Sequence, residues 1–234
     1  RFYRFGLLFR FELDRNYFVE GSSTAADAQS LRNNTIAKTS LSASYDTRDN
    51  FAKPRKGFFT ISTADLFNEI KGNEANFVKL AVAGEYHLSP FKRVTLSSTL
   101  RINRIQTFGD NVSIPSNELF FLGGDDTIRG FSEDSLGPVD ANNNPTGGRS
   151  RWIFNQELRF HVARSLSTGI FYDAGKLAQT FSDLAIDSQA RQSVGLGLRY
   201  HTPVGPIRAD YAFKLNRKAG ESRARFHLTF GYVF

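Results

Sequence analysis

In residues 224–234, Ala224, Phe226, Leu228, Phe230, Tyr232 and Phe234 fall on one face of an extended chain, and Arg225, His227, Thr229, Gly231 and Val233 on the other. Successive side chains of a β-strand point to opposite sides, so this period of two specifies a strand with one greasy face and one polar or small one. The pattern recurs. Over 207–215, Ile207, Ala209, Tyr211, Phe213 and Leu215 oppose Arg208, Asp210, Ala212 and Lys214. Over 194–201, Val194, Leu196, Leu198 and Tyr200 oppose Gly195, Gly197, Arg199 and His201. In 152–162 the apolar face is Trp152, Phe154, Leu158, Phe160 and Val162, broken by Gln156, against Ile153, Asn155, Glu157, Arg159 and His161. Further strands read at 168–175, 93–105, 76–88, 57–67, 35–46 and 2–13, about ten in all, with 58–67 the least regular. No stretch carries a helical period, and Gly, Pro, Asn and Asp gather between the strands. The chain is predicted to be all-β and antiparallel.

Alternation alone does not say which face is outside. A lipocalin-like barrel or a sandwich would turn the Phe-rich face inward and the charged face to water. Two features favour the opposite arrangement. The strands, at about nine to thirteen residues, exceed the ~5–6 of ordinary sheets and match the ~9–11 of tilted membrane strands. The connections also alternate in length: 216–223, 176–190, 106–149, 68–75 and 14–34 are long, whereas 202–206, 163–167 and 89–92 are short, with 46–56 the exception. Long loops at one end and tight turns at the other are the asymmetry of an outer-membrane barrel. Tyr3, Tyr86, Tyr200, Tyr232 and Phe234 near strand ends suit interfacial girdles, although strands favour aromatics in any setting.

Composition fits this reading. The 23 Phe among 234 residues need a large apolar face, assigned mainly to the lipid side, and a mean hydropathy of −0.35 is what averaging a lipid face with a polar lumen produces. No apolar run approaches the ~20 residues of a membrane helix. The absence of Cys excludes disulfides, thiolate zinc sites, iron–sulfur ligation and cysteine nucleophiles, and His87, His161, His201 and His227 lack metal-motif spacing. There is no nucleophile elbow, P-loop or zinc motif, so no enzyme, cofactor or metal site is expected. The acid pairs Asp125-Asp126 and Glu133-Asp134 lack a basic partner at defined spacing and read as solvated or turn-forming. The net charge of +7 is spread along strand faces and turns, which suits a polar lumen or anionic head groups rather than nucleic acid. With Arg1 first, and neither initiator Met nor signal peptide, the chain reads as a processed form or a fragment.

The connection from 109 to 149 has no periodic segment, yet carries Phe120-Phe121-Leu122-Gly123-Gly124-Asp125-Asp126-Thr127-Ile128-Arg129-Gly130-Phe131, then Leu136-Gly137-Pro138 and Gly147-Gly148. A loop this apolar must fold back on something. With Ile128-Arg129-Gly130-Phe131 after a Gly-Gly, the sequence resembles the BamA/TamA superfamily of outer-membrane insertases. Agreement extends through Asp46-Thr47-Arg48-Asp49-Asn50 with Pro54 and Gly57, Gln156-Glu157-Leu158, Phe171-Tyr172-Asp173-Ala174-Gly175, the Gly195/Gly197/Arg199 strand, Thr202-Pro203-Val204-Gly205-Pro206 and the closing Gly231-Tyr232-Val233-Phe234.

The resemblance implies that residues 1–234 are the C-terminal part of an outer-membrane barrel whose loop, about 106–149, enters the lumen. It implies that Arg129 meets Glu157 and Asp173, and parity independently puts both acids on the polar side of their strands. One planar guanidinium can serve two carboxylates. Removing it would cost about 3–5 kcal/mol in a dry site and about 0–1 in a wet one. Two readings stay open, a clamp for the loop and a direct substrate contact. The resemblance also implies a weakly paired seam at the last strand. Gly231 would kink that strand, or is simply a small lumenal residue like Gly195 and Gly197, with Phe234 the C-terminal aromatic common in outer-membrane proteins.

The implied function is insertion, assembly or translocation of outer-membrane proteins, without covalent chemistry, in a bacterial-type outer membrane. Implied partners are outer-membrane lipids, unfolded β-barrel clients, and accessory lipoproteins or an inner-membrane partner. A secretion pore, an anchor for a passenger domain and a small autonomous porin-like barrel are the alternatives. The family barrel has sixteen strands preceded by periplasmic modules, and a closed ten-strand barrel would hardly admit so long a loop. The expectation is therefore an open, incomplete ten-strand portion.

Overall fold

The computed structural model describes residues 4–16, 34–51, 53–71, 76–109, 114–202 and 205–231. Phe234, Tyr232 and Tyr3 lie outside the described residues. Ten strands follow one another: β1 (Arg4–Asn16), β2 (Asn34–Asp46), β3 (Gly57–Lys71), β4 (Asn76–Phe91), β5 (Val94–Phe108), β6 (Ser150–His161), β7 (Leu166–Ala178), β8 (Arg191–Thr202), β9 (Gly205–Lys214) and β10 (Ala224–Phe230). They form one antiparallel sheet in sequence order, with β1 and β10 as its two edges. No ladder joins those edges among the described residues, so the sheet is open, as the loop's size requires.

Cross-strand register fixes the two faces. On one side stand Leu80, Val82, Leu196, Phe226, Leu228 and Phe230, all exposed, the arrangement of a lipid-facing surface. The other side carries Glu157, Asp173, Arg199 and Asp210, all buried.

One expectation is corrected. The link at 68–75 is not long, because β3 runs to Lys71 and β4 begins at Asn76. The β2–β3 ladder extends to Thr35 opposite Lys71, past a register shift between Thr35 and Ile36. Part of the Phe excess, which lies mainly on the lipid side, is taken up on the inner side. Phe67, Phe77, Ile105, Ile153 and Leu177 point inward and pack with Phe120, Leu122, Ile128, Phe131 and Leu136 of the loop into one buried cluster. Phe67 and Phe77 stack there with ring centroids 4.4 Å apart. This explains the irregular pattern of 58–67, where apolar side chains serve both faces.

The turn after β2 shows what its Asp-Thr-Arg-Asp run does. Thr47 is bonded at both its N–H and its hydroxyl to the backbone of Phe58. Arg48 forks onto Asp46 at 2.9–3.0 Å and reaches Glu85 of β4 at 3.0 Å. Burial works against the charge of Asp49, but the backbone N–H groups of Arg55 and Lys56 outweigh it and hold the carboxyl below the ordinary carboxylate range.

Candidate functional site

The loop between β5 and β6 is tied to the inner face along its length. Phe120 and Gly148 exchange backbone hydrogen bonds, closing its neck. Lys79 Nζ donates to Glu118 O at 2.9 Å, and Arg151 Nη1 to Phe121 O at 2.5 Å. Both cations lie over the Phe120 ring. Gln179 donates to Gly147 O at 3.0 Å. With the apolar cluster beneath, these contacts deliver residues 128–131 to the strands β6–β10.

Ile128 and Phe131 are buried in that cluster. Arg129, 6% exposed, presents its fork to Asp173 of β7: Nε and Nη2 each lie 2.8 Å from a different carboxylate oxygen, and the Arg129 backbone N–H adds a third bond at 3.1 Å. Asn155 of β6 donates to the same carboxylate at 2.9 Å and to Thr127 O at 2.8 Å. Four donors therefore converge on one fully buried acid. The third guanidinium nitrogen, Nη1, stands 3.6 Å from Glu157 and 3.5 Å from Asp210 of β9. Beneath the plane, the Phe171 ring lies 3.4 Å from the guanidinium carbon.

Both sequence-predicted acids thus meet Arg129, but unequally. Asp173 is hydrogen-bonded to it, whereas Glu157 is bonded instead to Arg159 Nε at 3.0 Å and to Arg199. Six participants escape the sequence reading, among them Arg159, Arg199 and Arg208. Asp210, fully buried, sits at 3.5–3.9 Å from Arg129, Arg199 and Arg208 without a hydrogen bond to its oxygens. Its signal is register: it faces Gly197, where a Cβ would collide with the Asp210 carboxylate. Phe171 has a similar signal in Gly195, whose missing side chain makes room for the ring. Asn155 shares its face with Glu157. The site is a charge lattice of Arg129, Arg159, Arg199 and Arg208 around Glu157, Asp173 and Asp210. Buried pairing of this kind fixes position more than it adds net stability.

Gly130 adopts φ +93°, and a Cβ there would press on Ala212 at 3.2 Å. Its N–H donates to His227 Nε2 of β10 at 3.0 Å. Two further inward side chains of β10 reach the loop: Arg225 donates to Ser132 Oγ at 2.8 Å, and the Thr229 hydroxyl donates to Asp125. The loop therefore holds the terminal strand through Arg225, His227 and Thr229 at a spacing of two. Gly231 differs from Gly195 and Gly197. Its φ is +93°, a Cβ there would meet nothing, and its N–H bonds Pro206 O at 2.9 Å just past the end of β10. It is a backbone break rather than a packing site.

A model of the Omp85 superfamily domain matches residues 7–234. The outer membrane protein assembly factor BamA of Nitratidesulfovibrio vulgaris is 26% identical over 204 residues, covering 81% of this chain and 24% of that protein. A SAM50-like protein of Schizosaccharomyces pombe is 30% identical over 195 residues, covering 76% of this chain and 40% of that one. The chain thus spans between a quarter and two-fifths of the length of these relatives. In fold it is similar to the crystal structure of BamA from Haemophilus ducreyi lacking POTRA domains 1–3, with a TM-score of 0.73, 17% identity, 97% of this chain and 50% of that chain covered. Ten open strands correspond to half of that chain, as part of a larger barrel would. The chain belongs to the Omp85 superfamily and forms part of an outer-membrane β-barrel.

Proposed function

We propose that residues 1–234 are the C-terminal part of a barrel that assists insertion and assembly of outer-membrane proteins, and that the loop at about 106–149 is the element that holds its closing strand. The observation that carries this reading is the hold of the loop on β10 through Arg225, His227 and Thr229. Among the described residues β10 pairs only with β9, over seven residues, and a glycine break follows it, so its other edge would be the weakly paired seam of the whole barrel. Unpaired N–H and C=O groups on such an edge recruit extended chains. A client strand of an unfolded β-barrel polypeptide is the substrate such an edge fits.

The Arg129 seat then acts as a positioning device. It holds the loop, and the loop holds Arg225, His227 and Thr229 with the edge presented outward. No covalent step enters this reading, and accessory lipoproteins or an inner-membrane partner would bind elsewhere on the full-length protein. The relatives named as assembly factors support it.

Locking the loop to the edge tests it. Asp125 and Thr229 touch through short side chains, and the chain has no native Cys, so Asp125→Cys with Thr229→Cys supplies one disulfide. Vesicles carrying the full-length protein should fold an added β-barrel client faster than protein-free vesicles. Because this reading has the loop hold β10, the oxidised double variant should keep this rate, and the reduced variant, which lacks the Asp125–Thr229 contact, should be slower. An oxidised variant much slower than the wild type would contradict it, since β10 would then have to leave the loop during insertion.

A further inference from the structure

The outward side of β5–β7 carries a second built feature, on the opposite face from the Arg129 seat. Register places Leu100 opposite Phe154, Ile102 opposite Trp152, and Phe154 opposite Ala174, all on the lipid side. The β7–β8 connection does not project away from the sheet but folds down over this surface. Lys176 Nζ, buried, grips Asp187 at 2.7 Å, and Leu184 packs on Trp152, Ala174 and Ala190. Between connection and strands lies a groove of about 480 Å³, inside the roughly 300–1,000 Å³ range of ligand sites.

Two observations describe its occupant. The walls are almost wholly hydrocarbon and aromatic, and Phe181 and Ile186 of the connection stand 49% and 87% exposed beside them. Such exposure is unfavourable in water and natural against acyl chains. Trp152 forms part of the wall and is nine-tenths buried there. Beside the groove, the Arg104 guanidinium lies 4.7 Å from the Phe181 ring and bonds Gln106, but makes no ion pair among the described residues. A hydrocarbon slot with a cation beside its mouth matches an acyl chain followed by an anionic head group.

We infer that this groove binds one acyl chain of an anionic lipid of the outward-facing leaflet. The leaflet follows from the long connections, which share this end of the sheet. A lipid so held would anchor the β7–β8 connection on the barrel wall behind the loop seat.

Trp152 is the single Trp of this chain, so its fluorescence reports from inside the groove. The full-length protein is reconstituted in phosphatidylcholine vesicles doped with a small fraction of acyl-brominated phosphatidylglycerol or acyl-brominated phosphatidylcholine, and the signal of a Trp152→Phe variant is subtracted. The anionic lipid should quench at an about fivefold lower mole fraction, the effect of one interfacial cation. Arg104→Gln should abolish that preference, and Ala174→Phe, by filling the groove, should abolish saturable quenching. Equal quenching by the two lipids would show ordinary bilayer contact and overturn the proposal. So would no quenching by either, which would mean that a protein segment or a second copy covers the groove.

Discussion

Asp173 receives the Arg129 guanidinium side-on, with Nε and Nη2 each 2.8 Å from a different carboxylate oxygen, and both side chains are buried. This is the dry case of a buried ion pair, in which removing one member strands the other. Arg129→Ala should therefore destabilise the barrel by about 3–5 kcal/mol in denaturant unfolding. Arg129→Lys keeps the charge but not the fork, and should still lose about 1–3 kcal/mol. If Arg129→Ala costs under about 1 kcal/mol, the cost of an exposed pair, the lattice does not hold the loop.

Gly130 is constrained twice, by a positive φ and by Ala212, which would lie 3.2 Å from any Cβ added to the glycine. Gly130→Ala should cost about 1–3 kcal/mol from the backbone alone. Adding Ala212→Gly relieves the contact but not the torsion, so the double variant should recover only part of the loss. Full recovery in thermal unfolding would mean that the backbone conformation contributes nothing.

The acidic end of the loop should make its docking pH-dependent. Burial, then the neighbouring Asp125, pushes the Asp126 carboxyl above its ordinary value of 3.8, and burial, then Asp134, pushes Glu133 above 4.5. An acid whose pKa is raised on folding binds its proton more tightly in the native state. Stability therefore falls as pH rises from the ordinary value through the raised one. Asp126→Asn with Glu133→Gln should protect the loop from proteolysis at pH 7 relative to wild type, with the difference vanishing below about pH 3.8. Equal protection at both pH values would contradict this.

Much of this molecule is written in its alternation. Glu157 and Asp173 can be placed on the inner side by parity because both lie on clean strands with apolar neighbours. The fork on Asp173 and the weaker approach to Glu157 are not legible there, since parity assigns a face and not a partner. Phe171 shows the same limit. It lies on the Asp173 side of β7, yet an apolar residue in a membrane strand reads as lipid-facing until the loop that brings Arg129 over its ring is known. Phe67 and Phe77 are hidden for the same reason, because their partners in the loop are some fifty residues away in sequence. The contact of His227 with Gly130 spans 97 positions and has no local signature at all.

The central claim is that the edge of β10 away from β9 receives client strands, and site-directed crosslinking from that edge tests it most directly. Photoreactive residues are placed singly at Leu228, Phe230 and Gly231 of the full-length protein, with a control on the exposed outer face at Leu196, while a β-barrel client is stalled during insertion in membranes. The account predicts client adducts from the β10 positions and none from Leu196. Correctly folded protein that yields no client adduct at any β10 position, or as many at Leu196, would contradict it.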